Sequence, residues 1–150
     1  MNDVANVSKV VLRREIAAPA KELFDAWLDP ASLAVWMRPG GTPRTTVTVD
    51  PRVGGQFEIV MHTASGPIPH TGTYKEIDRP RRLAFTWNPA HALQIDSLVT
   101  VEFRPARGAT EIVLTHERLP SQEAVAKHTK GWSDILELLA ESYREVRSTA

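Results

Sequence analysis

The sequence contains no cysteine among its 150 residues. This absence excludes disulfide bonds, thiolate metal sites and a cysteine nucleophile. The formal net charge is zero, since 18 basic residues balance 18 acidic ones. The chain therefore has no excess of positive charge with which to bind nucleic acid or an anionic membrane. No apolar run approaches the roughly 20 residues of a membrane-spanning helix, and residues 1–8 lack the apolar core of a signal peptide. We therefore expect one cytoplasmic domain, residues 1–150, that binds neither nucleic acid nor membrane.

Motifs for catalysis and metal binding are also scarce. Pro39–Gly41 and Val53–Gly55 lead into strands rather than helices, so neither is a phosphate loop. No serine lies in a nucleophile-elbow sequence. His62 and His70 flank one loop, but a hairpin pair needs further metal ligands. The remaining histidines are His91, His116 and His128. The sequence therefore predicts no cofactor and no metal, and we assign no catalytic residue.

The last quarter of the chain predicts one long amphipathic helix, from Ser121 to about Arg147. Val125, Trp132 and Leu139 recur every seven residues and place a broad apolar stripe on one side of this helix. Ser121 is a suitable N-cap. A stripe of this width needs a large apolar partner surface, which the preceding residues provide as strands.

The residues before this helix predict one strand, two short helices and six further strands. Val7 to Ala17 alternate as a strand, and Pro19 opens a helix that contains Leu23–Trp27. Asp29 as N-cap begins the second helix. Period-two alternation then predicts the six strands, which contain Val47–Val49, Phe57–Met61, Thr71–Ile77, Leu83–Trp87, Val99–Phe103 and Ile112–His116.

Short connections between these six strands favour an antiparallel meander. One of the connections, Ala64 to Pro69, is rich in glycine and proline and is predicted to be a loop. We therefore expect an α+β fold in which a curved antiparallel sheet of about seven strands carries the long C-terminal helix on its concave face.

A set of short motifs, spread from about Val10 to Tyr143, carries a family resemblance. They are Arg14–Pro19, Leu23–Trp27, Trp36–Pro39, Val53–Gly55, Gly72–Tyr74, Pro80–Leu83, Thr86–Trp87, Leu114–Glu117 and Gly131–Trp132. In order and spacing they resemble the activator of heat-shock protein 90 ATPase homologue-like family of the START/Bet v 1 (SRPBCC) superfamily. The resemblance implies a helix-grip fold, with a hydrophobic cavity between the sheet and the long helix.

The sequence departs from the family pattern in two ways. The second Trp of the family's W-W-x-P element is Met37 here, and the charged Arg38 follows it. Both positions lie near the implied cavity mouth, so the resemblance transfers no ligand preference. The eukaryotic co-chaperones of this branch carry an additional N-terminal domain that contacts the chaperone, and the present chain has no room for it. The resemblance therefore does not favour a chaperone contact, and it leaves a homodimer open.

The implied cavity gives a set of candidate ligand-binding residues. They are Trp36, Met37, Phe57, Met61, Tyr74, Trp87, Phe103, His116, Trp132 and Leu136. Apolar burial would supply affinity, while the hydroxyl of Tyr74 and the imidazole of His116 would orient the ligand. The loops 38–44, 63–70 and 88–95 would gate the mouth.

Each of these residues also has a structural interpretation. The aromatic side chains can simply fill a core. His116 can be a core histidine that bonds to a neighbour, and Tyr74 a core tyrosine whose hydroxyl reaches water. On the long helix we expect Val125 and Leu139 to pack, and Trp132 and Leu136 to face a ligand. Arg14, on an apolar face, needs a partner if it is buried.

Three functions remain open on the sequence alone. The first is non-enzymatic binding of a small, lipophilic molecule in the cavity. The second is a cyclase or dehydratase that acts on an aromatic or polyketide-like substrate, with His116 and Tyr74 as an acid/base pair. The third is a chaperone-interaction module.

Overall fold

The computed structural model describes residues 9–89 and 96–149. Its strands are β1 (Val10–Ile16), β2 (Arg44–Val49), β3 (Gln56–Thr63), β4 (Gly66–Asp78), β5 (Arg82–Pro89), β6 (Ser97–Ala106) and β7 (Ala109–Glu117). Its helices are α1 (Ala20–Ala26), α2 (Pro30–Trp36) and α3 (Gln122–Thr149), with a 3₁₀ turn at Pro39–Gly41. None of the helices in the described ranges is both long and apolar enough to cross a membrane.

The seven strands form one antiparallel sheet in the order β1-β7-β6-β5-β4-β3-β2. Strands β2 to β7 form a meander. Strand β1 lies at the edge of the sheet and pairs with β7, so that Val10 lies opposite His116. The helix α3 packs on the apolar face of this sheet. This arrangement confirms the predicted α+β helix-grip fold.

Period-two alternation explains which face of the sheet is buried. In β3 the buried side chains are Phe57, Ile59 and Met61, and the residues between them are more exposed. The same face continues across the sheet, where β6 buries Val99 and Phe103. Burying each such side chain is worth about 1.5–3 kcal/mol, so this face accounts for much of the stability.

The predicted loop from Ala64 to Pro69 is wrong, because β4 already begins at Gly66. Pro67 and Pro69 lie opposite His62 and Val60 of β3. Neither proline can donate an N–H to β3, so the missing donors face the other edge of β4, where pairing with β5 starts only at His70. As a result, His70 is held on a strand instead of in a loop.

The helix starts agree with the sequence in part. The hydroxyl of Ser121 accepts the Ala124 N–H at 3.1 Å, which confirms the predicted N-cap of α3. Asp29 precedes α2 as expected, but its side chain makes no capping hydrogen bond. The Pro30 ring at the first helical position pre-sets the backbone there.

Two polar contacts fix α3 against the rest of the chain. Arg14 of β1 pairs with Glu137 at 2.8 Å, so this half-buried cation has the partner that its position requires. The Gly40 N–H donates to the Asp134 carboxylate at 2.9 Å and ties the 3₁₀ turn to the helix. The backbone at Gly40 has a φ of 62°, which favours glycine.

The strands β3, β4 and β5 approach closely at Gly72. A methyl group at this position would overlap the carbonyl oxygen of Thr86 and the ring of Phe57. The Thr73 N–H donates to the Thr86 hydroxyl at 2.9 Å instead of joining the regular ladder. The absence of a side chain at Gly72 is therefore required by packing.

We expect Gly72→Ala to lower the free energy of unfolding by about 1–3 kcal/mol, because the added methyl has no room. Gly131→Ala is the matched control. Its methyl would meet only Pro39, at 3.8 Å, so the variant should gain about 1 kcal/mol from helix propensity. Urea unfolding followed by tryptophan fluorescence measures both. Equal stability of Gly72→Ala and the unmutated protein would contradict the packing account.

Candidate functional site

A cavity of about 150 Å³ lies between α3 and the sheet. The helix contributes consecutive turns of one face, and the strands β3, β4 and β5 contribute one side chain each. The lining residues are Pro39, Met61, His70, Trp87, Lys127, His128, Gly131, Trp132 and Ile135. The cavity therefore occupies the position between helix and sheet that the helix-grip fold implies.

Four of the nine residues that line the cavity carry aromatic rings. The rings of Trp87 and Trp132 have centroids 5.1 Å apart, and His70 packs on Trp87 at 5.0 Å. Trp132 also stacks on Trp27 of the segment after α1, at 6.2 Å. Edge and tilted contacts of this kind add about 0.5–1.5 kcal/mol beyond area burial. The wall is thus closely packed and largely apolar.

A groove of about 520 Å³ adjoins this cavity at the start of α3. The two share three lining residues, which are His70, Lys127 and His128. The groove is also lined by Ile68, Pro89, Ser121, Glu123 and Ala124. The shared residues mark the mouth, where an apolar interior meets a polar and partly charged rim.

A line of hydrogen bonds runs through the core beside the cavity. The indole N–H of Trp132 donates to Nδ1 of His116 at 3.0 Å, and Nε2 of His116 lies 2.8 Å from the Ser97 hydroxyl. That hydroxyl lies 2.6 Å from the carbonyl oxygen of Trp87. An indole can only donate and a carbonyl can only accept. His116 Nε2–H therefore donates to Ser97, which donates to Trp87.

This series of hydrogen bonds requires a neutral His116 ring. The ring is fully buried, and burial together with the nearby His128 lowers its pKa to about 3. Both ring nitrogens are engaged in hydrogen bonds, and the residue lines neither the 150 Å³ cavity nor the adjoining groove. The interpretation of His116 as a hydrogen-bonded core histidine therefore fits the geometry.

His128 stands between His116 and the mouth. The two rings are perpendicular, with centroids 4.7 Å apart. Nδ1 of His128 lies 2.8 Å from the Ala124 carbonyl oxygen and must donate to it. Burial lowers the pKa of His128, while the bond to Ala124 opposes this effect and the charge of Lys127 adds to it. The neutral ring thus keeps its proton on Nδ1.

The structure divides the ten predicted ligand-binding residues into three groups. Met61, Trp87 and Trp132 line the 150 Å³ cavity. Met37, Phe57 and Tyr74, again with Trp87, line a separate apolar void of only about 10 Å³. The remaining four are buried in the core and line neither space: Trp36, Phe103, His116 and Leu136.

The small void shows how closely the side chains between α2 and the strands β3, β4 and β5 are packed. At about 10 Å³ it is no larger than roughly one water molecule requires. Burial and the nearby Asp50 carboxylate raise the pKa of Tyr74, which keeps its hydroxyl protonated. Trp36 donates its indole N–H to the Ser32 hydroxyl at 3.0 Å, so its polar atom is engaged locally.

Several lining residues were absent from the sequence prediction. His128, Gly131 and Ile135 lie on the same helix face as Trp132, and their spacing was a usable signal. His70 was not predicted, because the two preceding prolines indicated a loop and not a strand. Of the predicted gating loops, 38–44 supplies Pro39, whereas residues 90–95, including His91, lie outside the described residues.

His62 and His70 do not meet. His62 contacts Arg44 and Thr46 at 3.4 and 3.2 Å on the outer face of the sheet, whereas His70 packs on Trp87. Within residues 9–89 and 96–149, no cluster of three or more His, Asp or Glu side chains is placed to hold a metal ion.

A larger, polar groove of about 580 Å³ lies on the opposite face of the sheet. It is lined mainly by outward side chains, among them Gln56, Glu58, Thr71 and Thr73. We place the candidate site in the smaller cavity because its lining, which includes two tryptophan rings, is mostly apolar, whereas the groove is mostly polar.

Comparison with known families assigns the chain. The family model described as "Activator of Hsp90 ATPase homolog 1-like protein" matches residues 17–143. The chain belongs to this family. This result confirms the resemblance carried by the short sequence motifs. A comparison with curated protein sequences finds no match.

Solved structures of similar proteins agree with the fold. A Chromobacterium violaceum protein is 26% identical, with a TM-score of 0.78, covering 90% of this chain and 96% of its own. The AHSA1 protein of Silicibacter pomeroyi is 28% identical, with a TM-score of 0.72 and coverage of 89% and 96%. An HSP90 activator from Plasmodium falciparum is 28% identical, with a TM-score of 0.66 and coverage of 83% and 87%.

The low pKa of His116 predicts a specific pH dependence of stability. Its folded pKa of about 3 lies below the unfolded value near 6.5. The contribution of neutral His116 to the free energy of unfolding is therefore fully present above about pH 6.5. It falls by about 1 kcal/mol per pH unit as the pH drops. His128 contributes in the same direction. Urea unfolding at pH 6.5, 5.5 and 5.0 should show a shallower decline in His116→Gln than in the unmutated protein, whereas parallel declines would contradict a neutral His116.

Proposed function

We propose that the protein binds a small, largely apolar molecule in the cavity between α3 and the sheet. The observation that carries this proposal is the cavity of about 150 Å³, with aromatic walls and a mouth at the start of α3. Family membership is consistent with it. The driving force would be the removal of apolar surface from water.

The size of the cavity limits the ligand. Apolar cavities of about 150 Å³ hold a benzene-sized molecule or a xenon atom. A ligand with one ring would fit between the sheet and the helix residues Gly131, Trp132 and Ile135. Any further substituent would extend into the adjoining groove of about 520 Å³, which brings the combined site into the usual range for ligand pockets.

The enzymatic alternative has less support. A cyclase or dehydratase was expected to use His116 and Tyr74 as an acid/base pair. His116 is enclosed by Ser97 and Trp132, while Tyr74 borders the small void. The two side chains therefore do not converge on one substrate position, and a binding role fits the geometry better.

A chaperone-related role is the second candidate. The observation that favours it is the 28% identity to the Plasmodium falciparum HSP90 activator. Stimulation of Hsp90 ATPase activity by the purified protein, together with co-elution, supports this role. Absence of both effects removes it without bearing on the cavity.

We expect toluene to stabilise the protein against heat. A ligand at ten times its dissociation constant adds about 1.4 kcal/mol, which corresponds to a rise in Tm of about 3–6 °C for a chain of this size. Gly131→Leu should abolish the shift, because the new side chain occupies the cavity beside Pro39.

Ala126→Leu is the matched control, since Ala126 is exposed on the same helix and its substitution should leave the toluene shift intact. Native mass spectrometry of the same samples checks stoichiometry, with one toluene expected per chain. If toluene and related single-ring compounds neither shift Tm nor appear in the spectrum, the proposed function is wrong.

A further inference from the structure

The chemistry of the cavity wall restricts the class of ligand beyond its size. Most of the wall is apolar, so a polar ligand group there needs a specific partner, because an unpaired buried polar group costs stability. The polar side chains that line the cavity are His70, Lys127 and His128. Lys127 is a cation, whereas His70 places its Nδ1 3.0 Å from the Ile68 carbonyl oxygen and must donate a proton to it.

His128 offers a hydrogen-bond acceptor. Its Nδ1–H donates to the Ala124 carbonyl at 2.8 Å, one turn back along α3. A neutral imidazole with its proton on Nδ1 has a lone pair on Nε2. Within residues 9–89 and 96–149 this Nε2 makes no hydrogen bond, and it is not fully buried. The cavity wall therefore contains an acceptor that a ligand can use.

Lys127 does not turn the cavity into an anion site. Its side chain is 75% exposed and pairs with Glu123 at 3.4 Å, so the positive charge lies in solvent beside a negative one. Of the neighbouring imidazoles, His116 accepts the Trp132 indole N–H and is neutral, and His70 packs on Trp87. A carboxylate ligand would lose its hydration without gaining a buried cation.

We propose that the ligand class is a neutral aromatic hydroxyl compound, whose ring packs on Trp87 and Trp132 and whose O–H donates to Nε2 of His128. This inference rests on the proposed function and adds the chemical class to it. The ring uses the apolar volume, and the hydroxyl pairs with an acceptor on a helix residue that lines that volume. His128 is then the residue that distinguishes a phenol from a hydrocarbon of the same shape.

Phenol and toluene are the two probes that test this class, since they share shape and differ in the hydroxyl. Isothermal titration calorimetry gives the ratio of the two dissociation constants for each variant. His128→Phe keeps a ring and removes the acceptor, so phenol should lose about tenfold in affinity relative to toluene. His128→Gln retains an acceptor oxygen and should restore part of the preference.

The matched control is His62→Phe. His62 lies on the outer face of the sheet, against Arg44 and Thr46, so this change should leave the phenol-to-toluene ratio unaltered. Toluene binding that persists in His128→Phe shows that the variant is folded and that its cavity is intact.

Each outcome has a defined meaning. A relative loss of phenol affinity in His128→Phe, but not in His62→Phe, supports the proposal. An unchanged ratio in His128→Phe overturns it while leaving ligand binding in the cavity valid. Benzoate that binds the unmutated protein more tightly than phenol also overturns it, in favour of an anionic ligand. If neither phenol nor toluene binds any variant, the proposed function itself fails.

Discussion

The position of the long helix depends on one buried hydrogen bond, from the Trp132 indole to His116. Because the indole can only donate, it fixes the tautomer of His116, which in turn donates to Ser97 and through it reaches the carbonyl of Trp87. The line therefore joins α3 to β7, β6 and β5. A small rotation of the helix would leave buried polar atoms unpaired, at a cost of about 1–3 kcal/mol each. This constraint decides which helix residues face the sheet.

Local side-chain size explains why one part of the interior is packed and another is open. Beneath α2, aromatic and aliphatic side chains leave a void of only about 10 Å³. Beneath the first half of α3, Gly131 has no side chain, and the turn at Pro39 is held over it by the bond from Gly40 to Asp134. The space of about 150 Å³ remains there. A glycine inside a helix costs about 1 kcal/mol relative to alanine, so the cavity is maintained at some expense of stability.

Most of the fold could be predicted from the sequence, because each element depends on local periodicity. The alternation in Phe57–Met61, the heptad recurrence that includes Trp132 and the Ser121 cap are local signals. The candidate site was predicted less well. Periodicity identifies a face and not a depth, so it could not separate Trp36, packed in the core, from Met61, which lines the cavity. The choice between Leu136 and Ile135 depends on helix rotation, which is set by contacts distant in sequence.

The proposed function requires that a ligand-accessible apolar cavity exists between α3 and the sheet. A crystal structure of the protein under xenon pressure tests this claim most directly, because xenon occupies apolar cavities of this size without needing any polar partner. The account predicts a xenon atom in contact with Met61, Trp87 and Trp132. A well-ordered structure with no xenon there, and with the Pro39 turn and His128 closed over the space, would contradict it.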